Sequence, residues 1–334
     1  MTIDNLVRLI EGELLTSPSI SSINNIEFSA KKIKQADAFI YTGIEDLKEA
    51  IDKGAYAVIF DKENIEITDK EIAWIRVKSL KRALIRILRF YLTEKSIKVL
   101  YANELVLQII ESATTQKENL LFIKDSIYEI FQKVLHAKEN SIIIGNDEDL
   151  LRKIYPDFKP LEKKSAVNVI NQTLFETTFI HNDKFFKNIK IPPIFIKELE
   201  TALDFFESYQ IRYDLYNLNF LQNHFEPVFI NSRFIQMPFG STQKVLIFEK
   251  DKNLLEKEIL FLQKEAKWAN KKVFVPDNLN LRISNTDIHK FKDFKNIKLI
   301  KNFHLGIIYG EKEEFFHLLT PKEQNNISLF KELN

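Results

Sequence analysis

Cysteine is absent from this 334-residue chain, and glycine is scarce at 7 residues, about 2% against a usual share near 7%. The first absence excludes disulfides, thiolate zinc sites, iron–sulfur clusters and a cysteine nucleophile. The second bears on nucleotide chemistry, because phosphate cradles and dinucleotide turns need backbone that approaches its ligand closely or adopts positive φ. The glycines are Gly12, Gly43, Gly54, Gly145, Gly240, Gly306 and Gly310. None falls in a GxGxxG or GxxxxGK arrangement, so a standard Rossmann fingerprint and a standard Walker A loop are both excluded. A composition rich in Lys, Ile, Asn and Phe also depresses glycine, so scarcity alone says nothing of function. An excess of one charge is lacking too: 48 Lys+Arg against 47 Asp+Glu leaves +1, which argues against a dedicated nucleic-acid binder. The longest apolar runs, such as Tyr56–Phe60, are too short to span a bilayer. Met1-Thr2-Ile3-Asp4-Asn5 lacks the basic start of a signal peptide. The expectation is a cytoplasmic globular protein, consistent with 45% hydrophobic and 28% charged residues.

What is present reads as alternating α/β segments. Thr2–Leu15 carries Ile3, Leu6, Val7 and Ile10 on one side, with Thr2 as N-cap, and predicts a helix. Ala38–Tyr41, Ala55–Phe60 and Ala73–Val77 predict strands. Ile44–Lys53, ending at Gly54, and Ser79–Tyr91 predict helices. This is a small α/β domain over 1–95. Over 96–228 the pattern is less regular. It contains candidate strands at Ile97–Tyr101, Leu121–Ile123 and Ile142–Ile144, and candidate helices at Glu104–Ser112, Ser126–Leu135 and Ile194–Tyr209. Over 229–334, strands are predicted at Lys244–Glu249, Lys272–Val275, Ile297–Ile300 and Leu305–Tyr309. Helices at Leu254–Ala269 and Glu311–Leu319, the latter ended by Pro321, complete a doubly wound, Rossmann-like unit.

Several stretches carry a resemblance. Ser29-Ala30-Lys31-Lys32-Ile33-Lys34-Gln35-Ala36-Asp37-Ala38-Phe39 follows the phrase DSR-x-V-x-x-G-D-x-F. Leu47–Val58 follows F-x-x-A-x-x-x-G-A-x-A-V, and Val77–Leu84 follows V-x-x-x-x-x-A-L. Phe225–Phe234 looks like F-x-P-V-x-G-R, with Ser232 in place of Gly and a longer spacing before Arg233. Ile307–Lys312 looks like a last strand with its glycine turn. On these residues the chain resembles the Mur ligases, most closely those that add D-alanyl-D-alanine to the peptidoglycan precursor, over about 1–95 and 195–320. The resemblance implies a multi-domain α/β fold: a small N-terminal domain (1–95), a reduced central domain without a P-loop (96–228) and a Rossmann-like C-terminal domain (229–334). It also implies contacts to a UDP-sugar at Ser29 and Lys31, and to a nucleotide or carboxylate at Arg233.

The departures matter more. A Mur ligase activates a carboxylate with ATP and needs a glycine-rich loop, a Lys and a Ser/Thr for Mg²⁺. Here the candidate strand Ile97–Tyr101 is followed by Ala102-Asn103-Glu104-Leu105. That stretch has no Gly, Lys or Thr, and Glu104 would repel phosphate. The family's metal-binding Glu, His and modified Lys have no counterpart, and its D-Y-A-H-N-P becomes Phe248–Asn253. The expectation is therefore no catalytic residue, no metal site and no ATP or Mg²⁺. The chain reads as a binding or scaffold protein near peptidoglycan precursor synthesis, with a UDP-sugar ligand and peptidoglycan-synthesis proteins as partners. Two alternatives stand beside it. One is an ATP- and Mg²⁺-dependent UDP-MurNAc-peptide ligase with a divergent nucleotide site. The other is an anionic-ligand or nucleic-acid binder.

Each singled-out residue also has a plain reading. Ser29 and Lys31 fit a surface turn, and Lys in place of Arg loses the fork that grips phosphate bidentately. Arg233 fits a structural tie. Lys78, Arg82, Arg86 and Arg89 fit a solvated basic helix face. His181-Asn182-Asp183 fits a loop, His136 and His224 fit ordinary packing or surface positions, and the 28 phenylalanines fit the core.

Overall fold

The computed structural model describes residues 1–43, 46–124 and 126–319. Ile44 and Pro321, assigned above to a helix start and a helix end, lie outside the described residues. The chain forms two compact units. One is Met1–Ala102 with Lys117–Pro160, and the other is Asn103–Gln116 with the chain from Leu161 onward.

In the first unit, α1 (Ile3–Ile10) starts at Thr2, whose hydroxyl accepts the Asn5 N–H at 3.3 Å. It is shorter than the expected Thr2–Leu15. Glu11 turns left-handed (φ 50°), and Gly12 lies where a Cβ would meet Ile75 at 2.5 Å. The chain continues through β1 (Glu13–Leu14), β2 (Ile26–Glu27), β3 (Asp37–Ile40), α2 (Leu47–Asp52), β4 (Ala55–Phe60), β5 (Ala73–Arg76) and α3 (Leu80–Glu94). The sheet order is β1-β5-β4-β3-β2, parallel except at the β1–β5 edge. Ala55–Phe60 and residues 73–75 of its inner strands are continuous hydrophobic runs, as a sheet covered on both faces requires. Asp37 is buried within it but satisfied, its carboxylate accepting N–H groups from Asn25 and Lys34. After β6 (Lys98–Tyr101), the chain leaves for α4 (Glu104–Ala113) of the second unit and returns. β7 (Leu120–Ile123), α5 (Ile127–Leu135), β8 (Ile142–Gly145), α6 (Glu148–Ile154) and β9 (Lys159–Pro160) complete a parallel sheet of order β7-β8-β6-β9. Leu84 and Ile87 of α3 share one core with Ile130 and Phe131 of α5 and with Leu151 and Ile154 of α6.

In the second unit, β10 (Asn168–Gln172), β11 (Thr177–His181) and β12 (Lys184–Ile189) form an antiparallel sheet. Asn182 and Asp183, at φ 47° and 61°, make the two-residue turn between the last two strands. Periodicity gave no sign of β10, which is exposed along its length and carries adjacent Val169-Ile170 rather than an alternation. The helix α7 (Ile196–Ser208) packs on α4. Then come β13 (Glu226–Phe229), β14 (Val245–Glu249), α8 (Lys252–Glu265), β15 (Lys271–Pro276), β16 (Ile288–Phe291), β17 (Leu305–Tyr309) and α9 (Lys312–Leu319). The sheet order is β13-β14-β17-β15-β16, parallel except for β13. The expected strand Ile297–Ile300 is instead part of a 3-10 helix, Phe294–Leu299. Asp293 begins that helix by accepting the Lys295 N–H at 2.8 Å, and the edge strand is Ile288–Phe291. Phe294 and Ile297 thereby enter a core with Phe274, Phe303 and Phe315.

One contact in the first unit bears on the cleft described next. The ammonium of Lys95 donates to three carbonyls at the end of α5: Val134 at 3.2 Å, Leu135 at 2.6 Å and Ala137 at 2.9 Å. A cation there satisfies carbonyls that the helix leaves unpaired and complements its dipole. Replacing Lys95 by Met should cost about 1–3 kcal/mol, the loss expected for charge-assisted hydrogen bonds to buried acceptors. Urea denaturation followed by circular dichroism measures it; an unchanged midpoint would show that water replaces the ammonium at no cost.

Candidate functional site

Two places in the structure gather chemistry. The first is a cleft of about 530 Å³ in the first unit, within the usual range for small-ligand sites. One wall is the loop Phe28-Ser29 with Lys32, and the facing wall is Tyr128, Gln132 and Lys133 on α5. Ser29 is half-buried and precedes a short 3-10 helix, Ala30–Lys32. Phe28 stands edge-on to Tyr128 at 5.4 Å and to Phe131 at 5.2 Å, which fixes the loop against the helix. Tyr128 remains 40% exposed. Lys133 reaches the Phe122 carbonyl at 3.1 Å. The cleft therefore offers the hydroxyls of Ser29 and Thr42, two ammonium groups and the ring and hydroxyl of Tyr128. Its two acids, Glu27 and Glu129, temper the positive charge; Glu129 is turned to the start of α5 by accepting the Ser126 N–H. Lys31 is exposed and does not line the cleft; its carbonyl accepts from Lys53 at 3.0 Å. Arg233 is exposed on the loop after β13, where Asn231 Oδ1 accepts the N–H groups of Arg233 and Ile235.

The other singled-out groups have structural work. Arg86 pairs with Glu11 at 2.5 Å, and the Arg89 guanidinium donates to the Lys153 carbonyl. His181 is buried and pairs with Glu207 of α7 at 2.6 Å. The link from β6 to α4 is two residues, Ala102 and Asn103. Ala102 N–H donates to the Gly145 carbonyl at 3.0 Å. The Asn103 side chain turns back on its own helix, accepting the Val106 N–H at 2.9 Å.

The second place is a charged network in the second unit, built around His224. Read from sequence as an ordinary packing or surface residue, His224 is in fact buried between two carboxylates. Its Nδ1 donates to Glu249 at 2.8 Å, and its Nε2 faces Glu104 at 3.6 Å. It stands between two left-handed residues, Asn223 (φ 59°) and Phe225 (φ 48°), a backbone path that non-glycine residues adopt at a cost. Lys250 pairs with Glu104 at 2.6 Å. Lys312 pairs with Glu226, whose other oxygen accepts the Asn223 N–H. Glu258 of α8 is fully buried beside Glu249. Among the described residues no group of three or more His, Asp or Glu side chains is arranged to hold a metal ion, and no helix is long and apolar enough to cross a membrane.

The network shifts its own protonation. Burial works to lower the His224 pKa, but the hydrogen bond and charge of Glu249, with the charge of Glu104, outweigh it and raise it above the usual imidazole value. Burial works to raise the Glu104 pKa, but Lys250 and His224 hold that carboxyl below its usual range. Glu258 is pushed well up, first by burial and then by the charge and hydrogen bond of Glu249 and the charge of Asp251. Burial beside Glu249 thus favours its neutral form. A carboxyl whose folded pKa is raised stabilises the fold fully below its unfolded pKa and loses that contribution as pH rises through the folded value. Glu258→Gln, neutral at every pH, should therefore match the wild type in acid and exceed it in Tm by a margin that grows as pH rises above the ordinary 4.5. A Tm difference that does not change with pH would sink this assignment.

No protein-family model matches the sequence, and no curated protein sequence matches it. Solved structures do. A MurF ligase from Thermotoga maritima, in complex with ADP, aligns over 89% of this chain and 96% of its own, with TM-score 0.55 and 12% identity. MurF from Acinetobacter baumannii aligns over 95% and 97%, with TM-score 0.52 and 11% identity. At such identities the likeness is one of fold. The chain has the multi-domain α/β fold of the Mur ligases.

Proposed function

We propose that this chain is a Mur-ligase-like binding protein of peptidoglycan precursor synthesis. It holds a UDP-sugar precursor in the cleft beside Ser29 and does not perform ATP-dependent ligation. The observation that carries the reading is the link between β6 and α4. Acyl-phosphate chemistry needs several backbone N–H groups converging on phosphate, with a Lys and a metal-binding hydroxyl. A glycine-free link of two residues, with Asn103 engaged on its own helix and Glu104 next, is poorly suited to supply them. The cleft supports retained binding. Lys32 and Lys133 suit a diphosphate, Ser29 adds a donor, and the Phe28–Tyr128 pair suits a planar base.

Ser29 is the proposed ligand contact within the cleft, and Lys32 joins it as a lining residue; Lys31 is proposed as a contact from outside the lining, and Arg233, in the second unit, as a separate contact to a nucleotide or carboxylate. The division into 1–95, 96–228 and 229–334 belongs to the same reading, as do a cytoplasmic setting and a scaffold role beside peptidoglycan-synthesis enzymes. The alignment with an ADP-bound ligase over most of both chains favours one alternative, an ATP-dependent ligase with a divergent nucleotide site.

Calorimetry and a phosphate-release assay separate the two. UDP-MurNAc-tripeptide should bind, and Ser29→Ala or Lys32→Ala should weaken it about tenfold, the value of one charge-assisted hydrogen bond. ATP with Mg²⁺ should neither bind nor release phosphate when the precursor and D-alanyl-D-alanine are added. Phosphate release with amide formation would establish the ligase; absence of any UDP-sugar binding would overturn the proposal.

A further inference from the structure

We propose that one end of the sheet formed by β13–β17, in the second unit, is a docking face for an anionic lipid bilayer. Strand register brings three loops to that end. Val245, the first residue of β14, stands opposite Phe229, the last of β13, and beside Leu305, the first of β17. Leu305 stands in turn beside Lys271, the first residue of β15. The segments 230–244, 266–270 and 299–304 therefore meet there. Hydrogen bonds tie them together. The Lys244 carbonyl accepts the Ile230 N–H at 3.0 Å, and the His304 carbonyl accepts the Val245 N–H at 2.8 Å. The Asn270 carbonyl accepts the His304 N–H at 2.8 Å, and the Asn270 N–H donates to His304 Nδ1 at 2.9 Å.

The charge of this end is one-sided. These loops and the adjoining Lys271 contain Arg233, Lys244, Lys267, Lys271 and Lys301 and no Asp or Glu, in a chain whose charges balance to +1. Two acids border it, and both are engaged: Glu265 pairs with Lys264 at 3.0 Å, and Asp287 pairs with Lys272 and His289. The Lys244 ammonium donates to the Lys301 carbonyl and lies 4.7 Å from the centre of the Phe303 ring. Burial, and then the charge of Lys301, hold its pKa below the usual lysine value. Among the described residues no carboxylate pairs with Lys244, Lys267 or Lys301.

The same end exposes large apolar side chains. Trp268 is 70% exposed, whereas the chain's other tryptophan, Trp74, is buried. Trp268 stands 6.1 Å from the His304 ring. Leu299, two residues before Lys301, is 79% exposed. Ile235 and Met237 are exposed on either side of Gln236, which bridges Ile230 at the edge of the sheet. Exposed apolar residues scattered singly need no explanation, but their gathering around uncompensated cations does. An anionic bilayer satisfies both halves of the pattern. Its headgroups attract the ammonium groups, and its interfacial layer takes up Trp268, Leu299 and Ile235, tryptophan being favoured at that depth. A nucleic acid would match the charge but leave the aliphatic side chains unused, because bases stack on aromatic faces. The strand β14 carries Glu249 of the His224 network at its opposite end, and the Ser29 cleft lies in the first unit. Arg233 figures in the proposed function, so the test leaves it unchanged, and the two proposals fail separately.

The test is co-sedimentation of the full chain with vesicles of phosphatidylcholine, alone or mixed equally with phosphatidylglycerol. The mixed vesicles should bind at least about tenfold tighter than phosphatidylcholine alone, and salt should release the protein. Tryptophan emission should shift to the blue on binding, a signal from Trp268 because Trp74 is already out of water. Lys267→Ala with Lys301→Ala should weaken binding at least about tenfold, each lysine near the surface being worth about fivefold. Trp268→Ala should weaken it about tenfold and abolish the blue shift. All three side chains are exposed, and circular dichroism checks that the variants fold. No binding to the mixed vesicles would overturn the proposal. Binding without the blue shift, or binding unchanged in the lysine variant, would place the lipid contact elsewhere and overturn it too. Tighter binding of an oligothymidylate than of the vesicles, lost with the same lysines, would reassign the face to nucleic acid.

Discussion

The buried carboxylate of Glu249 is the constraint on which the second unit depends. A charge removed from water costs several kcal/mol unless hydrogen bonds replace its hydration. Glu249 receives the His224 imidazole at 2.8 Å and the Asp251 N–H at 2.6 Å, and its carbonyl accepts the Gly310 N–H. The end of β14, the start of α8, the loop at 223–225 and the turn after β17 must therefore arrive together. Asp251 then caps α8 through the N–H groups of Asn253 and Leu254. Glu258, about two turns further along α8, is buried beside Glu249 and is pushed toward its neutral form.

The first unit is organised differently. Its helices α3, α5 and α6 meet through apolar side chains, and the polar side chains of Asp37 and Lys95 engage backbone groups. That arrangement leaves a cleft whose chemistry sits on side chains rather than on backbone. The contrast bears on what such a scaffold retains when glycine is scarce. Side-chain recognition by Ser29, Lys32 and Tyr128 needs no special backbone, whereas a phosphate cradle does. On the proposed function, binding is thus the activity that such a chain can keep without a glycine loop.

Much of the architecture was legible in the sequence. The strand-helix alternation over 1–95 and three of the four strands predicted in the last segment appear where apolar periodicity places them, because buried parallel strands and amphipathic helices must carry those patterns. Misreadings fall where local chemistry overrides periodicity. α1 stops at Ile10 because of a left-handed Glu11, and Ile297–Ile300 coils because Asp293 caps a 3-10 turn. The strand Asn168–Gln172 was invisible because an exposed edge strand needs no alternation.

The sequence by itself determined the exclusions and the order of elements: no thiol chemistry, no standard glycine loop, α/β segments in a Mur-ligase-like succession. These follow from residue identity and spacing alone. The tertiary structure decided which charges meet. Nothing local announces that His224 lies between Glu104 and Glu249, residues 120 positions before it and 25 after it, or that Lys32 rather than Lys31 faces Tyr128 across a cleft. The physical reason is that desolvation and Coulomb energy depend on distance in space, and the chain brings those partners together only by completing its sheets.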